Sequence, residues 1–181
     1  MRVITGSARG TPLKTLEGEE ITRPTGDRVK QALFNALQFD LEGRSILDLF
    51  AGSGQLGIEA LSRGAKDCVF VERDLNAAEV VKQNLKAAKL FSQAHVLTAD
   101  AVTFSRNTAD RFDIVFLDPP YASDLIEQAL PLLCDKIKKN GTAVCETDTE
   151  KELPDTFGSL SLVRRAKYGK TLLWFYRQEE G

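Results

Sequence analysis

The chain has 181 residues, which is long enough for one globular domain, because domains usually take about 100–200 residues. Its hydrophobic content of 43% and charged content of 28% exclude a disordered chain, and no apolar run reaches the roughly 18–20 residues that span a bilayer. The formal charge of −2 excludes a uniformly basic protein that coats nucleic acid, and we expect no secretory signal, because no apolar stretch follows Arg2.

The positive charge is concentrated at the two ends of the chain. Residues 1–16 contain three basic and no acidic side chains, and residues 161–177 contain five basic and no acidic ones. These two stretches carry +8, which leaves −10 for the remainder. Two interpretations stay open: basic edge strands that keep the fold soluble, or a surface that contacts nucleic-acid phosphates.

Hydrophobic periodicity predicts strands and helices that alternate along the chain. Short strands are expected at 3–5 and 13–16, and Thr25 is expected to cap a helix over 26–38. A nearly continuous apolar run over 45–50, closed by a glycine-containing turn, is typical of a buried parallel strand.

The same alternation continues to the end of the chain and predicts an α/β fold. Buried strands separated by helices of about 10–15 residues imply right-handed crossovers and a mostly parallel sheet with helices on both faces. The last two strands are joined by Tyr168-Gly169-Lys170, which predicts an antiparallel hairpin at or near one edge. The predicted helices are 55–63, 75–89 and 123–138, and the predicted strands are 68–72, 95–98, 112–117, 142–146, 160–167 and 171–177.

The cysteines and the single histidine form no pattern that carries chemistry. Cys68, Cys134 and Cys145 are far apart and lie in apolar surroundings, so we expect buried, reduced thiols in a cytoplasmic protein. His95 has no second histidine or cysteine nearby, so neither a metal site nor a nucleophile activated by histidine is expected.

A glycine-rich turn and two carboxylates favour a nucleotide-type cofactor at the carboxyl ends of the strands, where open α/β sheets bind ligands. The spacing G-x-G-x-x-G is met by Gly52, Gly54 and Gly57, although close helix packing alone also explains glycines there. Glu72 ends the next strand, where a carboxylate can accept both hydroxyls of an adenosine ribose. Asp48 would repel the pyrophosphate of an NAD-type cofactor but attract the sulfonium and ammonium groups of S-adenosylmethionine, which favours the methyl donor.

Asp100 and Ala101 follow the next predicted strand. A carboxylate at this point can accept from the exocyclic amine of adenine, and the Ala101 N–H can donate to a ring nitrogen. Asp100 can equally cap a helix that begins near Ala101, and the two roles are compatible.

The sequence Asp118-Pro119-Pro120-Tyr121, directly after a buried strand, is the most specific feature of the chain. The two prolines fix φ and remove two donors, which leaves rigid, outward-facing carbonyls beside a carboxylate and an aromatic ring. Hydrogen bonds from an exocyclic amine to Asp118 and to the Pro119 carbonyl would make its nitrogen more tetrahedral and more nucleophilic, while Tyr121 stacks on an unpaired base. These four residues are the predicted catalytic loop.

This loop alone leaves the substrate open, because such loops also serve enzymes that act on adenine N6, cytosine N4 or a glutamine amide. A chain of 181 residues has no room for a separate target-recognition domain, which favours a base presented by structured RNA. A nucleotide-binding module without catalysis is the alternative from another class, and the intact Asp48, Asp118 and Tyr121 argue against it.

Four stretches of the chain together resemble one protein family. They are residues 21–30, 47–54 with 59–65, 115–121, and 168–169 with the strand that follows. In these stretches the chain resembles the bacterial small-subunit (16S) ribosomal RNA guanine-N2 methyltransferases, which belong to the class I S-adenosylmethionine-dependent amino-methyltransferases. The match runs over nearly the whole chain.

The resemblance implies a Rossmann-like, mostly parallel seven-stranded sheet over 26–181 and a small β-hairpin extension over 1–25. It implies transfer of one methyl group from S-adenosylmethionine to the N2 amine of a guanine in 16S rRNA, without a metal or a membrane, by a monomer that binds rRNA or the small ribosomal subunit. The residues expected to contact the cofactor are Arg23, Thr25, Asp48, Phe50, Ala51, Gly52, Ser53, Gly54, Glu72, Arg73, Asp100 and Ala101. The residues expected to contact RNA are Arg9, Lys14, Arg28, Arg164, Arg165 and Lys170.

Overall fold

The computed structural model describes residues 1–16 and 24–179, with the backbone alone at positions 24 and 25. Within these residues the helices are α1 (Pro24–Ala36), α2 (Gln55–Ser62), α3 (Leu75–Ala87), α4 (Ala101–Asn107) and α5 (Leu125–Leu133). The strands are β1 (Ser45–Asp48), β2 (Asp67–Glu72), β3 (Ala94–Thr98), β4 (Phe112–Leu117), β5 (Ile137–Asp148), β6 (Thr156–Phe157), β7 (Leu160–Tyr168) and β8 (Thr171–Gln178). Short 3₁₀ turns occupy Phe91–Gln93 and Cys134–Lys136.

The strands form one sheet in the order β3-β2-β1-β4-β5-β8-β7-β6. Strands β1 to β5 pair in parallel, whereas β8 pairs antiparallel with both β5 and β7, and β6 pairs antiparallel with β7. The predicted mostly parallel α/β sheet with a C-terminal antiparallel hairpin is therefore confirmed. The expected seven strands did not include β6, whose two residues are too few to show an alternating pattern.

Helices cover both faces of the sheet, and neighbouring residues of one strand pack in opposite cores. Ile46 and Phe116 pack in the core beneath α1, α2 and α3, whereas Leu47 and Val115 pack in the core beneath α4 and α5. Successive side chains of a strand point to opposite faces, so a sheet covered on both sides needs apolar residues at every position. This explains the continuous apolar runs of β1 and β4.

The first sixteen residues fold back on themselves but form only one isolated bridge, between Arg2 and Pro12. The predicted strands at 3–5 and 13–16 are therefore wrong. Pro12 has no backbone N–H, so it cannot donate a hydrogen bond that would extend the bridge into a ladder. Two backbone N–H groups of this segment donate instead to the Glu59 carboxylate of α2, which anchors the segment to the helix.

The N-terminal segment shares its core with the rest of the chain. Val3, Ala8 and Leu13 are buried in the same cluster as the apolar face of α1. The division into a β-hairpin extension over 1–25 and a methyltransferase domain over 26–181 stays a prediction. No helix within the described residues is both long and apolar enough to cross a bilayer.

Several helix boundaries differ from the predicted ones by one to five residues, and two of these differences have a clear cause. Helix α1 begins at Pro24, so the expectation that Thr25 caps it is wrong; proline is favoured in the first turn, where its missing N–H would have no partner. Helix α5 ends before the predicted position because Ile137 already pairs with Phe112 of β4. A register shift then carries β5 past Asn140, which has a left-handed φ of 62°.

Candidate functional site

A cleft of about 560 Å³ opens at the carboxyl ends of the parallel strands. Of the predicted cofactor and catalytic residues, it is lined by Asp48, Phe50, Ala51, Gly52, Ser53, Glu72, Arg73, Asp100, Ala101, Asp118, Pro119, Pro120 and Tyr121. Arg23 lies outside the described residues, and Thr25 is described by its backbone alone. The structure thus gathers residues that the sequence placed at the ends of four separate strands.

The turn between β1 and α2 uses its glycines in different ways. Gly52 and Gly54 have φ values of 56° and 83°, in the left-handed region that favours glycine. Gly54 was predicted to contact the cofactor, but it precedes α2 and does not line the cleft. A Cβ atom at Gly57 would lie 2.3 Å from Cε1 of Phe70, so α2 packs against β2 only because this residue is glycine. Close packing therefore explains Gly57, while Gly52 faces the cleft.

Asp48 ends β1 and is buried, with 1% of its surface exposed. Its Oδ2 accepts the backbone N–H of Gly57 at 3.0 Å. The pKa of Asp48 is raised to about 7, mainly by burial; the hydrogen bond from Gly57 opposes the shift, and the nearby Glu72 adds to it. A cationic ligand group in this part of the cleft would favour the ionised form of Asp48.

Glu72 at the end of β2 holds the glycine turn against the next strand. Its Oε2 accepts the Gly52 N–H at 2.8 Å, and its Oε1 accepts the Asp74 N–H at 2.9 Å. Each carboxylate oxygen has a second lone pair. Glu72 can therefore accept hydrogen bonds from ribose hydroxyls without releasing the turn.

Asp100 caps α4, as the structural alternative predicted. Its Oδ1 accepts the Thr103 N–H at 2.8 Å, and this bond lowers the pKa of Asp100, which favours the ionised form. The carboxylate also lines the cleft beside Ala101, the first residue of the helix. The N–H groups of a first helical turn have no partner within the helix, so Ala101 can donate to a ligand.

The loop after β4 makes a tight turn in which one proline carbonyl is already used. Ser123 Oγ donates to the Pro120 carbonyl at 2.8 Å, and Ala122 between them has a left-handed φ of 58°. The Pro120 carbonyl therefore already has one partner within the loop. The Pro119 carbonyl stays the candidate acceptor, next to Asp118 in the cleft.

Tyr121 connects this loop to the strands beyond it. Its hydroxyl donates to Glu146 Oε1 at 3.3 Å and lies 3.4 Å from Thr171 Oγ1 of β8. Burial raises the pKa of Tyr121, so the hydroxyl keeps its proton and can donate. With 47% of its surface exposed, the ring can still stack on a base.

Glu146 lines the cleft, although the sequence analysis did not select it. Cys145 pairs with Leu117, so Glu146 lies on β5 at the level where β4 passes into Asp118. The signal was available, because Glu146 is the last residue of a predicted strand. Burial raises its pKa, and the hydrogen bond from Tyr121 opposes the shift. Further lining residues without a signal in the sequence are Leu16, Gln55 and Leu125.

The predicted RNA-contacting residues do not share one surface. The arginine side chain of Arg164 lies 5.6 Å from the ring centroid of Phe175, and that of Arg165 lies 4.5 Å from the ring of Trp174. Trp174 and Phe175 are neighbours on β8 and belong to opposite cores, so the two arginines lie on opposite faces of the sheet. Arg165 also pairs with Glu152 at 2.9 Å. All six residues of the predicted set are nevertheless exposed: Arg9, Lys14, Arg28, Arg164, Arg165 and Lys170.

The cysteines and His95 stay outside the cleft. Cys68 and Cys145 are buried, and burial raises the pKa of both thiols, so they stay protonated. Cys134 is only half-buried, so the expected burial is wrong for this residue. His95 is exposed on β3. In the described part of the chain, no three His, Cys, Asp or Glu side chains are grouped so that they could hold a metal ion.

The donor set of the cleft fits an adenosine-bearing ligand that carries positive charge. Asp48 can face the cationic end, Glu72 the ribose, and Asp100 with the Ala101 N–H the adenine. A Rossmann-like sheet with an antiparallel strand beside β5, and carboxylates at its strand ends, is the architecture of the S-adenosylmethionine-dependent methyltransferases.

Within that class, the chain belongs to the family described as "Conserved hypothetical protein 95", whose model matches residues 1–177. Ribosomal RNA small subunit methyltransferase D of Haemophilus influenzae is 44% identical, over 85% of this chain and 81% of that protein. The Escherichia coli protein of the same name is 34% identical, over 99% of this chain and 90% of that protein. The solved structure of the Escherichia coli protein yhhF, 34% identical, covers 100% of this chain and 99% of its own with a TM-score of 0.89. These findings confirm the resemblance to bacterial small-subunit rRNA methyltransferases.

Proposed function

We propose that the protein transfers a methyl group from S-adenosylmethionine to the exocyclic N2 amine of a guanine in small-subunit (16S) rRNA. The observation that carries this proposal is that the Asp118-Pro119-Pro120-Tyr121 loop and the cofactor carboxylates line the same cleft. When it is bound, S-adenosylmethionine supplies the methyl group: its S–CH3 bond breaks as the N2–CH3 bond forms, S-adenosylhomocysteine leaves, and N2 releases one proton to solvent. The residues of the cleft bind the cofactor and the acceptor base and align the N2 nitrogen with the methyl group.

Three carboxylates act on the cofactor. The Asp48 carboxylate lies near the positive charge of the ligand, and this attraction offsets the cost of keeping a buried carboxylate ionised. Glu72 accepts from the ribose hydroxyls. Asp100 accepts from the adenine amine, while the Ala101 N–H donates to a ring nitrogen. A dinucleotide fits this set poorly, because its pyrophosphate would lie near Asp48.

The loop after β4 acts on the methyl acceptor. The Asp118 carboxylate and the Pro119 carbonyl accept the two hydrogens of N2, so that the nitrogen lone pair turns out of the plane of the base and toward the methyl group. Tyr121 stacks on the flipped-out or unpaired base. The reaction depends on alignment, which alone can contribute several kcal/mol to a lowered barrier.

The assignment of the substrate rests on the family. The relatives from Haemophilus influenzae and Escherichia coli are named ribosomal RNA small subunit methyltransferases, and we extend that substrate to this chain. We infer guanine N2 from the sequence motifs shared with the guanine-N2 family. We further propose that the protein acts as a monomer in the cytoplasm, where bacterial rRNA is made.

One labelling experiment tests the proposal. The protein is incubated with labelled S-adenosylmethionine and with rRNA or small ribosomal subunits from cells that lack the enzyme, and the methylated nucleoside is identified and mapped. We expect one N2-methylguanine in 16S rRNA. Label in adenine or in protein would assign the loop to another amine, and cofactor binding without transfer would favour a binding module.

The same assay checks the role of Asp118. We expect Asp118→Ala to reduce methyl transfer by at least about 100-fold, since one hydrogen bond to a charged group and the alignment of N2 are both lost. Calorimetry should give an affinity for S-adenosylmethionine close to that of the native protein. A variant that remains fully active would contradict the amine-orienting role.

A further inference from the structure

Bases with an exocyclic amine differ at the adjacent ring nitrogen. In guanine, N1 next to the N2 amine carries a hydrogen and donates. In adenine and cytosine the ring nitrogen next to the amine has no hydrogen and accepts. An ionised carboxylate only accepts hydrogen bonds, so beside the amine it receives guanine N1–H and repels the lone pair of the other two bases.

The acceptor end of the cleft holds two carboxylates on neighbouring strands. Asp118 follows β4, and Glu146 lies on β5 at the same level, because Leu117 pairs with Cys145 one residue earlier. Paired strands lie about 4.8 Å apart, and both carboxylates line the cleft. Asp118 is already assigned to the amine, which leaves Glu146 as a second acceptor beside it.

The Glu146 carboxylate is held from one side by the aromatic residue that would stack on the base. Tyr121 donates to Oε1 at 3.3 Å, and the Tyr121 hydroxyl is itself 3.4 Å from Thr171 Oγ1. The bond to Tyr121 leaves further acceptor capacity on the carboxylate. Burial raises the pKa of Glu146, so an added donor from a bound base would favour its ionised form.

We propose that Glu146 determines the base specificity of the cleft by accepting the N1–H of guanine while Asp118 and the Pro119 carbonyl hold N2. This inference rests on the proposed function, since it requires a guanine in the cleft. Two adjacent donors of guanine then meet two adjacent carboxylates. Adenine and cytosine offer one donor and one acceptor, so one carboxylate would face a lone pair.

The experiment compares two acceptor bases at the methylated position. One RNA carries guanine there, and the other carries 2-aminopurine, which keeps the N2 amine but has no hydrogen on N1. We expect the native protein to prefer guanine by about 10- to 100-fold in kcat/KM, the range for one hydrogen bond to a charged group. In Glu146→Gln the amide can donate to the unprotonated N1, so the ratio should fall toward one.

Two further variants sharpen the comparison. Glu150→Gln changes the charge of an exposed residue just beyond β5 that does not line the cleft, and it should keep the native ratio. Tyr121→Phe keeps the ring but removes the donor to Glu146, and it should lower the ratio about three- to tenfold. Calorimetry with S-adenosylmethionine checks that the cofactor end of each variant is intact.

The outcomes separate this inference from the proposed function. If the native protein methylates no guanine N2, the proposed function fails. If it does so but Glu146→Gln slows both acceptors by the same factor, the residue is structural and the inference is overturned. If Glu146→Gln does not fold, Tyr121→Phe decides, and an unchanged ratio in that variant overturns the inference.

Discussion

The buried carboxylate of Asp48 works against folding and in favour of ligand binding. Its pKa rises from 3.8 to about 7 because of burial, so between these values the native protein holds a proton that the unfolded chain has released. Stability therefore falls as the pH rises through this window. A cationic ligand offsets that loss, since it stabilises the ionised form.

We expect Asp48→Asn to remove this pH dependence. The amide oxygen can still accept the Gly57 N–H, and no buried charge forms. Between about pH 4 and 7 the native protein should lose up to about 1.4 kcal/mol per pH unit relative to the variant. Thermal unfolding from pH 4 to 8 measures the difference, and calorimetry should find weaker binding of S-adenosylmethionine. Asp110→Asn, at an exposed residue, is the control and should follow the native curve.

Asn84 of α3 is a second buried residue that joins distant parts of the site. Its Oδ1 accepts the Lys14 N–H at 2.7 Å, and its Nδ2 donates to the carbonyls of Lys14 at 3.0 Å and Ser53 at 2.9 Å. Ser53 belongs to the glycine turn, and Leu16, two residues after Lys14, lines the cleft. One side chain thus holds two walls of the cleft in register.

We expect Asn84→Ala to destabilise the fold by about 1–3 kcal/mol, because it leaves buried backbone groups without partners. Affinity for S-adenosylmethionine should fall as well, since the glycine turn loses a contact. Urea unfolding and calorimetry measure the two effects. Gln83→Ala removes only an exposed hydrogen bond to the Lys14 side chain and should change stability by less than about 0.5 kcal/mol. Equal effects of the two variants would contradict the assigned role.

At the scale of elements, the packing of α2 on β2 sets the shape of the glycine turn between β1 and α2. Gly57 allows the helix to approach Phe70, and its N–H reaches Asp48 at 3.0 Å. Two residues further along α2, Glu59 anchors the N-terminal segment, because it accepts the backbone N–H groups of Ile4 and Thr5. A shift of α2 would therefore affect the cleft and the N-terminus together.

We expect Gly57→Ala to cost about 1–3 kcal/mol, because the new Cβ would lie 2.3 Å from Cε1 of Phe70 and the helix must move outward. Gly26→Ala is the matched control, since a Cβ there meets nothing within 4 Å in the first turn of α1. Alanine favours helix at that position and should be neutral or slightly stabilising. Denaturant unfolding compares them. Similar stabilities would contradict the close-packing role of Gly57.

At the scale of the whole molecule, the direction of the antiparallel strand β8 decides at which end of the sheet each of its basic neighbours lies. Thr171 pairs with Asp148 at the carboxyl end of β5, so the turn that holds Lys170 lies at the same end of the sheet as the cleft. Arg177 pairs with Thr142, which lies nearer the opposite end of β5. We therefore expect an RNA whose base enters the cleft to pass nearer to Lys170 than to Arg177.

We expect the double substitution Lys167→Ala and Lys170→Ala to weaken RNA binding and to reduce the slope of log K against log salt by about one to two units, at about 0.7–0.9 per phosphate contact. Lys139→Ala with Arg177→Ala removes the same charge near the opposite end of the strands and should leave the slope unchanged. Titrations at several salt concentrations measure both. Equal losses in the two variants would mean that net charge alone matters, and no loss in either would remove this turn from the RNA surface.

Much of the cofactor end of the site could be predicted because its pattern is local. Strand β4 has the predicted bounds 112–117, and the carboxylates of Asp48, Glu72 and Asp118 follow apolar runs at the predicted strand ends. Apolar runs closed by glycine or proline are visible within a few residues of sequence. Glu146 ends a predicted strand, but only the strand register places it beside Asp118, and the Asn84 side chain bonds to the backbone of a residue that lies 70 positions away in the chain.

By itself, the sequence determined the mostly parallel sheet and predicted the strand ends and the loop over 118–121 that line one cleft. Only the tertiary structure decided that Lys170 lies at the end of the sheet that holds the cleft and that Glu146 stands beside Asp118. The reason is physical: hydrophobic periodicity defines each element alone, whereas the pairing of distant strands selects which side chains meet.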